Sequence, residues 1–317
     1  MASCHALAAQ QCYGSSVSVR RLLPRITSNS KFLAVEYHFS SVRLKSNSEK
    51  LGRGRAVSSM AETVTAPRGR GKVNVFKSEE ELAVSLAKYT ADLSAKVCAG
   101  RNSFTVVISG GSLVKSLRKL IEPPYIESVD WSKWHVFWVD ERVVPKDHPD
   151  SNYLLASNEF LSKVPIPAGN IHSINDAVSA EGAADDYEAC LKRLIEHKVI
   201  DQTAANGFPK FDLMLLGMGP DGHIASLFPG HPLLQENKKL VTSIKDSPKP
   251  PPERISFTLP VINSSAAVAL IVAGASKSAA VHTALSSSSD PNALPVQLVA
   301  PQGELVWFLD NEAASKL

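Results

Sequence analysis

No apolar run in the sequence approaches the roughly 20 residues that a membrane-crossing helix requires. The longest candidate, "AAVALIVAGAS" at 266–276, is about half that length, so membrane insertion is not expected. Cysteine is scarce: Cys4, Cys12, Cys98 and Cys190 are the four in 317 residues, and none forms a C-x-x-C pair. That spacing argues against a disulfide framework or a thiolate metal centre and makes a reducing compartment the default. Two nucleophile or nucleotide signatures are also missing. There is no G-x-S-x-G elbow for a serine nucleophile, and no glycine-rich loop ends in the Gly-Lys-Ser/Thr of a Walker motif.

Positive charge is scarce where nucleic acid would need it. The formal net charge is +3, yet residues 1–72 hold 12 Lys and Arg against 3 Asp and Glu, which leaves 22 against 28 for the remainder. A mildly acidic body disfavours a nucleic-acid partner. The basic head is Ser- and Arg-rich, acid-poor and without the compact apolar core of a secretory signal, which is the composition of an organelle transit peptide. Its Met-Ala-Ser start and abundant Ser resemble plastid leaders, although a basic tail that stays attached has the same composition. The chain closes on Ser315-Lys316-Leu317, a tripeptide read by a peroxisomal receptor at a free C-terminus. The expected organisation is a leader over residues 1–65, cleaved near residues 55–65, a catalytic domain over 66–312 and a tail over 313–317. The corresponding partners are the plastid import machinery and the peroxisomal receptor, with the chloroplast stroma as main destination.

From about residue 73 strand-like and helix-like segments alternate. "KVNVFKS" reads as a strand, and "SEEELAVSLAKYTADLSAKV" as a helix with Ser78 at its N-cap and Glu81 three residues on. "SFTVVISGGS", "WHVFWVDERVV", "FDLMLLGMG", two runs within "RISFTLPVINSSAAVALIVAG", and "ELVWFLD" read as further strands. "LVKSLRKLI", "DSNYLLASNEFLSKV", "AEGAADDYEACLKRLIEHKVI" and "ASKSAAVHTAL" read as helices, and "KDSPKPPPERI" as a rigid Pro-rich loop. The order predicts an α/β fold, with a Rossmann-like, mainly parallel sheet and helices on both faces. In such sheets ligands gather at the carboxyl ends of strands, where this chain places "VISGGS", "WVDER" and "LLGMGPDGH".

Each of these ends has a plain reading beside a functional one. Ser109-Gly110-Gly111-Ser112 is either an ordinary tight turn or a set of bare N–H groups facing a phosphate. Asp140-Glu141-Arg142 is either a solvated strand end or one wall of a pocket. Gly217, Gly219 and Gly222 fit G-x-G-x-x-G, but Pro229 follows too soon for the long helix of a dinucleotide site, and no strand ending in Asp or Glu follows about 20 residues on. What remains is a turn carrying Asp221 and His223, either a structural cap or an imidazole base oriented by a carboxylate. Arg254 and Lys277, at two further loop ends, are either surface charges or the cations of a phosphate pocket.

The segments "SGGSL", "WVDERVVPKDHPDSNY", "LLGMGPDGHIASLFPG", "RISFTLPVIN" and "VAGASKSAA", in this order and spacing, closely resemble the 6-phosphogluconolactonase family, which shares a superfamily with glucosamine-6-phosphate isomerase/deaminase. The resemblance spans roughly residues 73–312. It implies hydrolysis of a small phosphorylated sugar lactone, 6-phospho-D-glucono-1,5-lactone, in the oxidative pentose phosphate pathway, with no metal and no cofactor. It further implies that His223 activates water, that Asp221 positions it, that Ser109–Ser112, Arg254 and Lys277 bind phosphate, and that Arg142 and Asp140 line the pocket. The isomerase branch carries Asp-Glu-Tyr where this chain has Asp140-Glu141-Arg142, and an acid where this chain has Phe228 before Pro229. A sugar-phosphate sensor of the repressor type would carry a DNA-binding helix-turn-helix, which the basic head does not resemble.

Overall fold

The computed structural model describes residues 62–64, 70–286 and 293–317. Apart from Glu62–Val64, the expected leader lies outside the described residues, as do residues 66–69 and 287–292 of the expected catalytic domain. The described residues form one compact unit.

Thirteen strands occur among the described residues: β1 (Glu62–Val64), β2 (Lys72–Phe76), β3 (Phe104–Ile108), β4 (Trp134–Trp138), β5 (Asp140–Arg142), β6 (Ile171–His172), β7 (Asp201–Gln202), β8 (Pro209–Lys210), β9 (Leu213–Gly217), β10 (Val241–Ile244), β11 (Arg254–Phe257), β12 (Ala267–Val272) and β13 (Glu304–Asp310). Eight of them form the main sheet in the order β1-β2-β13-β12-β9-β3-β4-β6. Every pairing in it is parallel except β1 with β2. The chain runs from β3 outward to β4 and β6. It then returns to β9 on the other side of β3 and runs the opposite way to β12 and β13. The direction reverses between β3 and β9, which opens a crevice there at the carboxyl ends of the strands.

The central strands read as unbroken apolar runs because both sheet faces are covered. Successive residues of β9 alternate between two cores. Met214 and Leu216 pack into one, and Leu213 and Leu215 into the other. The first core is closed by helices α5 (Ala180–Glu196), α6 (Leu259–Asn263) and α7 (Ser278–Leu285), through Tyr187, Val261 and Val281 among others. The second is closed by α1 (Glu79–Gly100), α2 (Ser112–Ser116), α3 (Tyr125–Ser128) and α4 (Asn152–Glu159), through Leu86, Leu113, Tyr125 and Ala156. The α/β fold with helices on both faces is therefore as the sequence predicts. Helix α1 also begins as predicted, with Ser78 Oγ accepting from the Glu81 N–H at 3.2 Å and three glutamates in the first turn.

Three local readings differ from the sequence pattern. "WHVFWVDERVV" is two strands: β4 lies in the main sheet, whereas β5 joins β10 and β11 in a second, antiparallel sheet. The change happens at Val139, whose N–H donates to Ile108 O at 3.0 Å and whose carbonyl accepts from the Phe257 N–H at 2.7 Å. "LVKSLRKLI" winds as the short α2 and then a 3₁₀ helix over Leu117–Ile121. Residues 222–231 hold turns and an isolated bridge between Ile224 and Leu227, and no helix follows Gly222. At the C-terminus Ala313 is fully buried and its N–H donates to Asp310 Oδ1 at 2.7 Å. The exposed tail thus begins after residue 313, at Ser315–Leu317.

Candidate active site

A cavity of about 220 Å³ occupies the crevice between β3 and β9. The loop after β3 lines it with Ser109, Gly110, Gly111 and Ser112, and the loop after β9 with Gly217, Gly219, His223 and Ala225. The second sheet adds Asp140 and Arg142 from β5 and Arg254 from β11; Asn152 and Lys277 complete the wall. Nine of the ten candidate residues named from the sequence thus meet at one cavity. The tenth, Asp221, stands behind His223.

The Asp221 carboxylate lies 2.5 Å from His223 through Oδ1 and Nδ1. An ionised carboxylate only accepts, so Nδ1 carries the proton and Nε2 keeps the lone pair. No bond to Nε2 occurs among the described residues. Burial is the largest influence on the imidazole and pushes its pKa below the ordinary value; Asp221 pulls it back and the nearby Lys249 pushes it down again. The pKa of Asp221 also ends below the ordinary range, because the His223 hydrogen bond and charge, with help from Lys249, outweigh partial burial. The dyad is therefore poised with a neutral imidazole and a charged carboxylate. Glycine makes this geometry possible. A Cβ on Gly219 would sit 2.0 Å from His223 Cε1 and 2.6 Å from Asp221 Oδ1. Gly222 has φ +76° and Ala225 φ +50°, so the loop passes through left-handed backbone on both sides of His223.

The β3 loop uses its glycines differently. A Cβ on Gly110 would fall 1.8 Å from Asn152 Oδ1, so only glycine lets α4 approach this closely. Gly111 has φ +70°, and a Cβ there would meet nothing within 4 Å; it turns the chain and leaves its surroundings open to a ligand. Ser109 Oγ accepts from the Gly217 N–H at 3.2 Å and ties the two loops together. Lys277 Nζ lies 3.4 Å from Ser112 Oγ, and burial lowers its pKa against the pull of Asp310 and Glu79.

Across the cavity, the antiparallel register places Arg254 directly opposite Arg142, Ile255 opposite Glu141 and Ser256 opposite Asp140. Like charges facing each other across two strands are unfavourable by themselves. Arg142 donates through Nη1 to Asp150 O at 3.0 Å, and its Nε is buried with no partner, a donor left for an anion or a hydroxyl. Arg254 is 2% exposed and directs Nε to Pro251 O and Nη2 to the carbonyls of Lys249 and Pro250, at 3.0, 2.7 and 3.1 Å. It therefore holds the Pro-rich loop as well as lining the cavity, and its Nη1 donates to Ser226 Oγ at 3.5 Å. Asp140 is buried, accepts from Ser226 Oγ at 2.8 Å and receives Asn152 Nδ2 on its carbonyl at 3.0 Å.

Three contributors lay outside the sequence reading: Asn152 and Ala225 line the cavity, and Lys249 contacts both members of the dyad. Glu141, read from the sequence only with its neighbours as a pocket wall, fastens the structure beneath them. The Glu141 carboxylate accepts from the N–H groups of Arg142, Asn152 and Tyr153, each at 2.7 Å, and so caps α4. Burial, opposed by these three bonds, pushes its pKa up to about 7. A lone Lys inside "SPKPPP" and an Asn just after the Ser151 cap were the available signals. Among the described residues no group of three or more His, Cys, Asp or Glu side chains could hold a metal ion.

Comparison with known proteins agrees with this geometry. The family described as glucosamine-6-phosphate isomerases/6-phosphogluconolactonase matches residues 77–307. A rice (Oryza sativa subsp. indica) protein named probable 6-phosphogluconolactonase 4, chloroplastic, is 68% identical over 248 residues, covering 78% of this chain and 76% of its own length. An Arabidopsis thaliana protein named 6-phosphogluconolactonase 3, chloroplastic, is 59% identical over 278 residues, with 88% and 85% covered. Among solved structures, the 6-phosphogluconolactonase of Thermotoga maritima superimposes with a TM-score of 0.62 at 28% identity, over 75% of this chain and 98% of its own. A monomeric glucosamine-6-phosphate deaminase shares the fold, with a TM-score of 0.63 at 20% identity over 77% and 99%. The crevice, the Asp-Gly-His turn and these matches place the chain in the glucosamine-6-phosphate isomerase/6-phosphogluconolactonase family.

Proposed function

We propose that the chain hydrolyses 6-phospho-D-glucono-1,5-lactone to 6-phospho-D-gluconate, the lactone-opening step of the oxidative pentose phosphate pathway. The observation that carries this reading is the His223 dyad: Asp221 fixes the proton on Nδ1, and Nε2 is left as a base in a cavity that cations also line. The names of the rice and Arabidopsis relatives support the same substrate.

In this reading Lys277, the Ser109–Ser112 loop and Nη1 of Arg254 take the phosphate, the loop through N–H groups beyond that of Ser109, which is bonded to Leu215 O, while Arg142 and Asp140 contact the sugar. Anchoring the phosphate fixes C1 near His223, so much of the barrier is met by orientation. Nε2 accepts a proton from water as the water oxygen bonds to C1, and the carbonyl becomes an alkoxide. The alkoxide collapses, the bond from C1 to the ring oxygen breaks, and the imidazolium returns its proton to that oxygen. The new carboxylic acid then loses its proton to solvent. A lactone is an activated ester, so no covalent enzyme intermediate is required.

The isomerase reaction would need a further acid beside the imidazole. At that position Phe228 presents a ring 4.8 Å from the His223 ring instead. Measuring lactone opening by the purified chain above the spontaneous rate tests the assignment. A rate equal to the spontaneous one would remove it.

For destination, the transit-peptide composition of residues 1–65 and the chloroplastic names of the relatives support the chloroplast stroma, reached through the plastid import machinery. The Ser315-Lys316-Leu317 tripeptide, with Leu317 49% exposed, would address a peroxisomal receptor wherever it forms a free C-terminus. Imaging of fusions tagged at either end, with and without Leu317, separates the two routes.

A further inference from the structure

Lys249 belongs to neither the glycine loops nor the arginine-bearing strands, yet its ammonium lies 3.3 Å from Asp221 Oδ1 and 3.2 Å from His223 Nδ1. Nδ1 has one hydrogen and cannot serve both neighbours. The carboxylate only accepts and the ammonium only donates. With the proton directed to Asp221, Lys249 pairs with the carboxylate and holds its ammonium beside the imidazole nitrogen. Its backbone is fixed from both sides. Its carbonyl accepts from Arg254 Nη2 at 2.7 Å and from Ser247 Oγ at 2.9 Å, and its N–H donates to Ser247 Oγ at 3.3 Å. A buried arginine thus holds a lysine-bearing loop over the dyad.

We propose that Lys249 is a positioning residue of the hydrolytic step: it orients the Asp221 carboxylate and sharpens the acidity of the His223 imidazolium, so that the proton taken from water is released to the departing ring oxygen. This rests on the lactonase reading. A base tuned by Asp221 alone would hold its proton more firmly after the first half of the reaction. The cation beside it shifts the balance toward return. The other groups facing the imidazole do not replace this charge. Asp140 acts on it with the opposite sign, and Arg254 spends Nε and Nη2 on the carbonyls of Pro251, Lys249 and Pro250, with its guanidinium carbon 5.8 Å from the Phe228 ring centroid. The Lys249 side chain is 39% exposed, so its truncation leaves the core intact.

The test compares full-length wild type, Lys249→Met and Lys249→Arg by two measurements. One is the pH profile of kcat/KM for lactone hydrolysis; the other is the titration of His223 by ¹⁵N NMR in ligand-free protein. In Lys249→Met both the acid limb and the NMR midpoint rise by about 0.5 to 1 pH unit, and kcat falls while KM stays within about twofold. Lys249→Arg restores the wild-type midpoint. An unmoved midpoint in Lys249→Met, or an equal shift in Lys249→Arg, overturns the proposal. The NMR titration needs no substrate, so a shifted midpoint in a protein that opens no lactone would condemn the activity and not the tuning.

Discussion

The two glycine-bearing loops that meet between β3 and β9 look alike in sequence and do opposite things with glycine. After β3, Gly110 admits a neighbouring helix and Gly111 turns through φ +70° into open space, so the loop offers backbone. After β9, Gly219 makes room for an imidazole lying where its own Cβ would stand, so that loop offers side chains. In the proposed reading one loop receives an anion and the other holds a base. A glycine pattern shows where backbone comes close to something. What it comes close to depends on the elements packed around it.

Substitutions can break this division. The largest effect belongs to the side-chain loop: His223→Ala lowers kcat by at least about 100-fold, within the range for losing a general base, measured by continuous assay of lactone disappearance. Asp221→Asn follows at about 100-fold, because the amide no longer dictates which imidazole nitrogen carries the proton. Removing the carboxylate also moves the acid limb of kcat/KM lower, opposite to the Lys249→Met shift. In the wild type that limb is expected below the ordinary histidine value of about 6.5, since burial and Lys249 depress the pKa and activity rises as the imidazole loses its proton.

Gly219→Ala comes next, with about a 10-fold or greater loss in kcat and little change in KM, since its methyl displaces the imidazole without touching the anion end. A comparable rise in KM would show that the two loops do not act separately. Lys277→Ala, on the backbone-offering side, instead raises KM by about 10-fold, the expected mark of lost uniform binding. The smallest effect is on stability. Gly111→Ala meets no atom but forces a side chain into a glycine-only conformation at about 1 to 3 kcal/mol, read as a lower midpoint in thermal denaturation.

Much of this was legible in the sequence, for physical reasons. Buried parallel strands advertise themselves as apolar runs, and the residues at their carboxyl ends must converge where the topology reverses, so Ser109–Ser112, Asp140, Arg142 and His223 could be grouped from sequence. Arg254 was legible as a site residue, but its second task was not. The carbonyls it binds belong to Lys249, Pro250 and Pro251, and the hydrogen bonds of a loop leave no periodic trace. Lys249 escaped for the same reason: proline-rich composition announces rigidity without saying what the rigid segment presents. The break between β4 and β5 was hidden because the sequence stays strand-like through Val139 while only its hydrogen-bond partners change.

That single residue has a mechanical meaning. Val139 gives its N–H to the strand that ends in the Gly110-Gly111 turn and its carbonyl to the strand that carries Arg254, so one residue rivets the two walls of the cavity together. The walls cannot part at this residue without breaking one of these bonds. Substrate therefore enters a vessel whose gauge is set by backbone, with the lysine-bearing loop pinned at its rim by Arg254.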